Sequence, residues 1–334
     1  MKKTSWICLF LALSSLCKLC AQKQSVSAKK GVKESPKFQF ADPRPKFFEY
    51  SFQNLPTSSN PVSNGNAVVD LSDLEESGRL FAGKLRIPLV FRGKLSLIGE
   101  AGMKNERAYI GNSLGRALEN PLRLTNINFS LIGEYDLKNG NSLAFYSRAA
   151  VRADELDFGS ANQYSYTASA IYQFKRVNNG QLGIGFYGSS NFGRIQVFPS
   201  ILYNKVYNNR LILSAMLPKE VSLTYRANDK LSYVAELSAE GSSYLITRAT
   251  LDGYDALEYR RSQVGLSFGI EKLISDVAGV SLSVGVAQPL NAVLVEPGRR
   301  TRDRVWTFDQ NMTPFVKLSI FAVPPSKLWA KCVK

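Results

Sequence analysis

The residues best suited to chemistry in this chain are charges set at every second position. Lys84 and Arg86 alternate with Leu85, Ile87 and Leu89, and Arg92 follows Phe91. Arg148 and Arg152 stand opposite Phe145 and Val151, and Arg226 flanks Tyr225. Glu100, Glu134, Glu220, Glu236, Glu240 and Glu271 keep the same parity within their own segments. Side chains of a strand alternate between its two faces, so these charges share one face and the apolar residues take the other. Inside a closed wall, such a face could select solutes by field and size. It could equally be a set of ion pairs that fills a narrow interior. Lys84, Arg86, Arg148 and Arg152 are the set that would make an anion-favouring wall.

A second basic cluster is Arg299, Arg300, Arg302 and Arg304, with Glu296 and Asp303 beside it. The planar guanidinium fork suits phosphate. Lipopolysaccharide phosphates or an inward-folded constriction loop would fit it, and so would an ordinary solvated loop.

Other chemistry is absent. The chain has no histidine. A Ser–His or Asp–His general-base site cannot be built, nor a His-ligated metal site. No phosphate-binding glycine loop is present. Gly183 and Gly185 lie inside a strand pattern, where they ease curvature or packing. No enzymatic activity, metal or cofactor is expected.

These charges need strands to position them, and the strand pattern is clear. In Tyr-Ser-Tyr-Thr-Ala-Ser-Ala-Ile-Tyr-Gln-Phe (164–174), Tyr164, Tyr166, Ala168, Ala170, Tyr172 and Phe174 form one face. Ser165, Thr167, Ser169, Ile171 and Gln173 form the other. A tilted span of about ten residues matches the roughly 25 Å lipid-facing band of an outer-membrane barrel, with aromatics at its edges. The pattern recurs at 79–91, 94–104, 122–136, 142–153, 181–190, 194–205, 210–217, 219–227, 231–240, 258–272, 279–288 and 312–322. Turn residues fall between strands, as in Lys138-Asn139-Gly140-Asn141 and Asn178-Asn179-Gly180. Tight connections alternate with longer ones at 105–121, 154–162, 241–257 and 289–311, the asymmetry of periplasmic turns and outer loops.

Both ends of such a wall should be periplasmic, so one further strand must precede residue 79. Lys46–Phe52 and Asn66–Leu71 are the candidates. The expected fold is all-β: a transmembrane antiparallel up-and-down β-barrel of about 14 strands. Twelve is the alternative, if Leu211–Tyr225 is one long strand rather than a hairpin at Leu217-Pro218-Lys219-Glu220. A soluble sandwich is disfavoured by the absence of a linker between 79 and 322 and by the small polar residues opposite the apolar face.

The bulk composition agrees. The chain has 334 residues, 45% of them hydrophobic, and a formal net charge of +15. Met1–Ala21 reads as a secretory signal, with Lys2 and Lys3 before an apolar run and Leu-Cys-Ala before Gln22. Cleavage there leaves Cys332 alone, so no intrachain disulfide can form. No mature segment holds 18 consecutive apolar residues, so a helical membrane protein is not expected. Residues 22–66 read as a basic Ser/Pro/Lys-rich extension, 67–323 as the barrel and 324–334 as a tail.

Several features together resemble an uncharacterised family of Bacteroidota outer-membrane β-barrels. They are the Leu-Cys-Ala-Gln signal end, Leu217-Pro218 running into Val221-Ser222-Leu223-Thr224-Tyr225-Arg226, and the following strand up to Gly241-Ser242-Ser243-Tyr244. The resemblance spans most of 75–323. It implies a porin-like barrel of unknown substrate with a transport or envelope role, and it brings no catalytic residues.

The function expected is therefore a passive channel or transporter for small solutes in the outer membrane of a Gram-negative bacterium. Two other readings stand beside it. One is a structural or surface-interaction barrel with a closed lumen. The other is a carrier of apolar molecules along inward residues such as Ile98, Ile132, Ile171, Ile212 and Val234. Expected partners are outer-membrane lipid and lipopolysaccharide, the barrel assembly machinery and small solutes; no nucleic-acid motif is present.

Overall fold

Burial along Tyr164–Gln173 alternates residue by residue, with Ser165, Thr167, Ser169, Ile171 and Gln173 buried and Tyr166 and Tyr172 exposed. The computed structural model describes residues 46–55, 62–64, 67–69, 78–108, 122–158, 163–175, 177, 180–208, 210–247, 254–308 and 311–325. All of them lie in one compact unit, Phe38–Lys334. The signal segment, the extension up to residue 45 and the tail from residue 326 are outside the described residues.

The strands are β1 (Phe48–Leu55), β2 (Val62–Asn64), β3 (Ala67–Val69), β4 (Gly78–Arg92), β5 (Leu95–Ala108), β6 (Leu122–Asp136), β7 (Ser142–Ala153) and β8 (Tyr164–Gln173). They continue with β9 (Gly180–Asn191), β10 (Arg194–Tyr207), β11 (Leu211–Leu217), β12 (Glu220–Arg226), β13 (Leu231–Ile246), β14 (Leu257–Leu273), β15 (Ala278–Val295), β16 (Arg304–Phe308) and β17 (Thr313–Ala322). Fourteen of them, β1, β4 to β15 and β17, form a closed ring of antiparallel neighbours. The ring closes where β1 pairs with β17, Phe48 opposite Ala322 and Asn54 opposite Val316. Closure leaves no wall strand with an unpaired edge in lipid, the condition that restricts membrane-spanning sheets to barrels.

The wall begins at Phe48, within the segment read from sequence as extension, so the first of the two candidate early strands is the one used. Residues 67–69 of the other form only a small hairpin with β2, beside β16. The twelve-strand alternative is excluded. A hairpin joins β11 to β12, with Met216 opposite Glu220 and Lys219 N–H donating to Met216 O at 2.7 Å.

Tight turns follow β4, β6, β8, β10, β12 and β14 at one rim, where β1 starts and β17 ends. The longer connections lie at the opposite rim. Outward positions between the rims are apolar and uncovered: Phe186 is 66% exposed, Phe268 58%, Phe129 53% and Leu318 51%. In water an apolar surface of this extent would not persist, and in a bilayer it is the lipid-facing band.

Two glycines show how closely the wall packs. A Cβ on Gly133 would lie 2.0 Å from Phe145 Cζ, so the Phe145 ring lies directly over the bare backbone of the neighbouring strand. A Cβ on Gly185 would lie 2.0 Å from Ala170 O and 2.6 Å from Ile171 Cα. Only a residue without a side chain allows β8 and β9 to converge there.

The largest departure from the expected layout is at the long-loop rim. Segments 241–257 and 289–311 read from sequence as loops, but β13 runs on to Ile246, β14 starts at Leu257 and β15 reaches Val295. Alternation stops there. Residues 243–246, 257–260 and 292–295 are buried at every position. A sheet buried on both faces has no reason to alternate, and here the second face is covered by the other side of the ring.

Candidate functional site

On the lumen side of β4 to β7, the charges meet one another. Glu100 on β5 is 4% exposed and takes two guanidinium groups. Arg86 Nε donates to Glu100 Oε2 at 2.8 Å, and Arg148 Nη2 approaches Glu100 Oε1 at 3.5 Å. Arg148 Nε also donates to Ser130 Oγ at 3.1 Å, and its guanidinium lies 5.5 Å from the Tyr146 ring centre. The register explains the meeting. Arg86 is opposite Glu100, Glu100 opposite Ser130 and Ser130 opposite Arg148, so the four line one row across neighbouring strands. A charge inside a wall is tolerable when paired and hydrogen-bonded, and this row meets the condition.

Other inward charges are unlike that row. Lys84 on β4 is exposed although it points inward, and so is Glu240 on β13. Groups enclosed by a wall yet reachable by water mark a wet interior. Glu236, also on β13, lies in electrostatic reach of Glu220, Lys317, Glu240 and Lys84. Among the described residues, none of Glu220, Glu236, Glu240, Lys84 and Lys317 has an ion-pair partner within 4 Å. Arg152 Nε on β7 is buried without a hydrogen-bond partner among the described residues.

The tight-turn rim carries its own links. Lys46 Nζ lies 2.5 Å from Glu271 Oε1 and 4.6 Å from the Phe321 ring centre, tying the start of β1 to β14 across β15 and β17. The Ser142 hydroxyl sits 2.7 Å from Glu134 Oε1 and 2.9 Å from Gln173 Oε1. Arg226 ends β12, its N–H donating to Arg210 O. Arg92 ends β4 opposite Leu95, at the turn.

At the other rim, the outer ends of β13, β14 and β15 cross the mouth. Tyr244, Ile246, Leu257, Tyr259, Ala292 and Leu294 cluster with Phe308 of β16 and with Leu124 of β6, on the far side of the ring. Leu245 of β13 pairs in parallel with Ala153 of β7. Thr247 donates from both its backbone N–H and its hydroxyl to Asp154 Oδ1 at 3.0 Å. Arg261 Nη1 of β14 lies 2.6 Å from Glu106 Oε1 of β5, with Lys104 at 3.8 Å from the same carboxylate. Within the crossing sheet, Arg260 grips Glu258 through two contacts, one of them Nε to Oε1 at 2.6 Å. Gly298 N–H lies 3.4 Å from Glu258 Oε2. We call this assembly the cap.

Arg299, Arg300, Arg302 and Arg304, between β15 and β16, are all exposed above the cap. Arg299 pairs with Glu296 at 3.3 Å and Arg302 with Asp303 at 3.6 Å, both in solvent. Sequence reasoning did not single out Glu106, Arg261, Glu258 or Arg260. The usable sign was the unbroken apolar run Ala292-Val293-Leu294-Val295, which no lipid-facing strand with a wet inner face would carry.

A family model described as a domain of unknown function, DUF6268, matches residues 102–292. The chain belongs to the DUF6268 family. The DUF6268 match begins within β5 and ends within β15, so it includes Arg148, Arg152, Glu106 and most of the cap, and leaves out β1, β4 and β17. No curated protein matches the sequence. Among solved structures, the COG4313 outer membrane channel from Pseudomonas putida F1 is similar at TM-score 0.42 and 11% identity, over 86% of this chain and 100% of that one. A Pseudomonas aeruginosa FadL homologue gives 0.42 and 10%, over 83% and 89%. Outer membrane phospholipase A from Escherichia coli gives 0.36 and 12%, over 82% and 92%. Scores this low carry no functional inference, so function has to come from the lumen itself.

Proposed function

We propose that this protein is an integral outer-membrane channel for small polar solutes, with its long-loop rim facing outward and the cap as a gate over that rim. The observation that carries this reading is the wet, charged interior: Lys84 and Glu240 point into a closed wall and remain exposed. An interior built only to be filled would bury and pair them, as it does Glu100. With no histidine in the chain, the wall offers no general base of the usual kind for hydrolysis. The exposed arginines at 299, 300, 302 and 304 stand where lipopolysaccharide phosphates would meet them.

The test is conductance of the refolded mature protein in a planar bilayer under a salt gradient. Discrete current steps are expected, and their reversal potential reads the ion preference. A protein folded by heat-modifiable gel mobility yet electrically silent would sink the channel reading. The silent result favours the second reading, a barrel whose lumen the cap keeps shut, and the 2.6 Å contact of Glu106 with Arg261 is the feature that keeps that reading in play.

A further inference from the structure

Each wall strand has two neighbours, but between β10 and β13 the wall stops short. β11 and β12 have seven residues each, whereas β10 has 14 and β13 has 16. β11 pairs with residues 201–207 of β10, and β12 with residues 232–238 of β13. Toward the long-loop rim, residues 194–200 are paired only to β9, and residues 240–244 only to β14. The opening is framed on all sides. Its sill is the β11–β12 hairpin, held at both corners: the Ser200 hydroxyl donates to Leu217 O at 3.2 Å, and Ala239 N–H to Lys219 O at 2.8 Å. At its top, Phe192 of the β9–β10 turn packs with Leu245 of the cap and Ala153 of β7. Three strand spacings of about 4.8 Å put β10 and β13 roughly 14 Å apart at the sill.

Exposure agrees with this window. Val197, Phe198 and Pro199 are exposed in succession, and so are Ala239, Glu240 and Gly241. No other strand has three exposed residues in a row among the described residues. Pro199 stands within the free stretch of β10, and proline suits a strand edge rather than a strand paired on both sides. It lies opposite Phe186 of the lipid-facing band, so the window opens at the level of lipid. Lipid cannot satisfy free backbone groups, and such backbone is tolerated at membrane depth only where protein or water covers it. Water from the lumen reaches these groups through the window.

Inside the barrel, an apolar track leads from the window toward the tight-turn rim. Phe198, Leu202 and Val206 share the inward parity of β10, with Leu202 opposite Met216 and Val206 opposite Ile212 of β11. The adjoining inner face carries Glu220, opposite Met216, and Glu236 and Glu240 on β13. The track is therefore apolar on one flank and polar on the other.

From the window and the track together we infer that single-chain amphiphiles pass sideways between the outer leaflet and the lumen, beneath the closed cap. A purely apolar molecule has no reason to leave lipid for a wet, charged interior. A small polar solute cannot reach the window through lipid. A molecule with one apolar chain and a polar headgroup meets both conditions. Its chain lies along Phe198, Leu202 and Met216, and its headgroup stays with water and the polar flank. The port goes beyond the channel reading and does not depend on it, because neither the window nor the track requires the cap to open.

The experiment is photolabelling of the refolded full mature chain in lipid vesicles that contain lysophosphatidylcholine with a diazirine at the end of its chain. Adducts are mapped by mass spectrometry of peptides. Labels are expected on the inward residues Phe198, Leu202 and Met216 as well as on outward residues such as Phe129 and Phe268. V197W/G241W, which narrows the window from both sides, is expected to lower inward labelling several-fold and to leave outward labelling unchanged. Adducts confined to outward residues in the unaltered protein would overturn the inference. Inward labelling that survives V197W/G241W, in a variant whose gel mobility shows it folded, would overturn it too, since the amphiphile would then arrive through the mouth. Current steps without inward adducts would leave the channel reading and remove the port. Inward adducts in an electrically silent barrel would do the reverse.

Discussion

Arg261 of β14 and Glu106 of β5 meet at 2.6 Å although β15, β17, β1 and β4 separate them along the wall. The contact spans the mouth rather than the sheet. Glu106 is 1% exposed, so its charge depends on its partners, Arg261 and Lys104. Removing one partner of a buried pair costs about 3–5 kcal/mol, whereas replacing both by apolar groups is near neutral. E106Q and R261Q should therefore each loosen the cap strongly, and E106L/R261M should recover part of the loss, since Lys104 still loses the same carboxylate. Urea titration in detergent micelles, followed by tryptophan fluorescence that includes Trp306 of the cap, checks it. Equal losses for the single and double variants would remove the latch role.

Leu294 is fully buried in the cap cluster. Leu294→Ala should cost about 2–5 kcal/mol, as for other buried leucines. The loss should be local, because the lower wall keeps its own ladder. Trypsin should cleave faster among Arg299–Arg304, while heat-modifiable gel mobility stays that of a folded barrel. Loss of the folded band would show that cap and wall are one cooperative unit.

Gly185 lies where β8 and β9 converge, and a methyl group there would strike the Ala170 carbonyl. Gly185→Ala should impair folding into lipid vesicles far more than Gly241→Ala, since a Cβ at Gly241 meets nothing within 4 Å. Folding yield by gel mobility is the measurement. Similar yields for the two would mean that the strands can part at little cost.

Leu318, near the middle of β17, is an exposed apolar residue opposite Phe52 and Leu282. Leu318→Arg should destabilise the folded barrel by about 2–4 kcal/mol if that position lies near the bilayer midplane, and by about 0–1 near an interface. The same substitution walked along β17 would map the depth of the band through equilibrium folding into vesicles.

Much of the wall could be read from sequence, because a period of two is a local property. Tyr166 and Tyr172 face lipid and Ser165 and Gln173 face inward, as their parity requires. The early strand at Phe48 followed from the need to bring both ends of the wall to one rim, and the hairpin at Leu217–Glu220 from the need to keep the later long loops on one side, although parity runs unbroken from Leu211 to Tyr225. The cap was misread for a physical reason. Residues 241–257 and 289–311 stop alternating, which resembles a loop when only one buried face is expected. Contacts across the lumen were less legible still. Glu100 with Arg86 follows from neighbouring strands, but Glu106 with Arg261 and Leu245 with Ala153 join strands that are distant both in sequence and around the ring. Their meeting depends on how the ring curves, which local spacing does not encode.

The seam between β1 and β17 joins residues 48–54 to 316–322. Nearly the whole chain must be delivered before its first wall strand can find its last. Until that moment, β1 and β17 each present a row of unmet backbone donors and acceptors, which lipid cannot satisfy. The seam thus makes insertion all-or-none. A chain shortened by one strand at either end should not yield a smaller pore; it should stay outside the bilayer as material for chaperones and proteases.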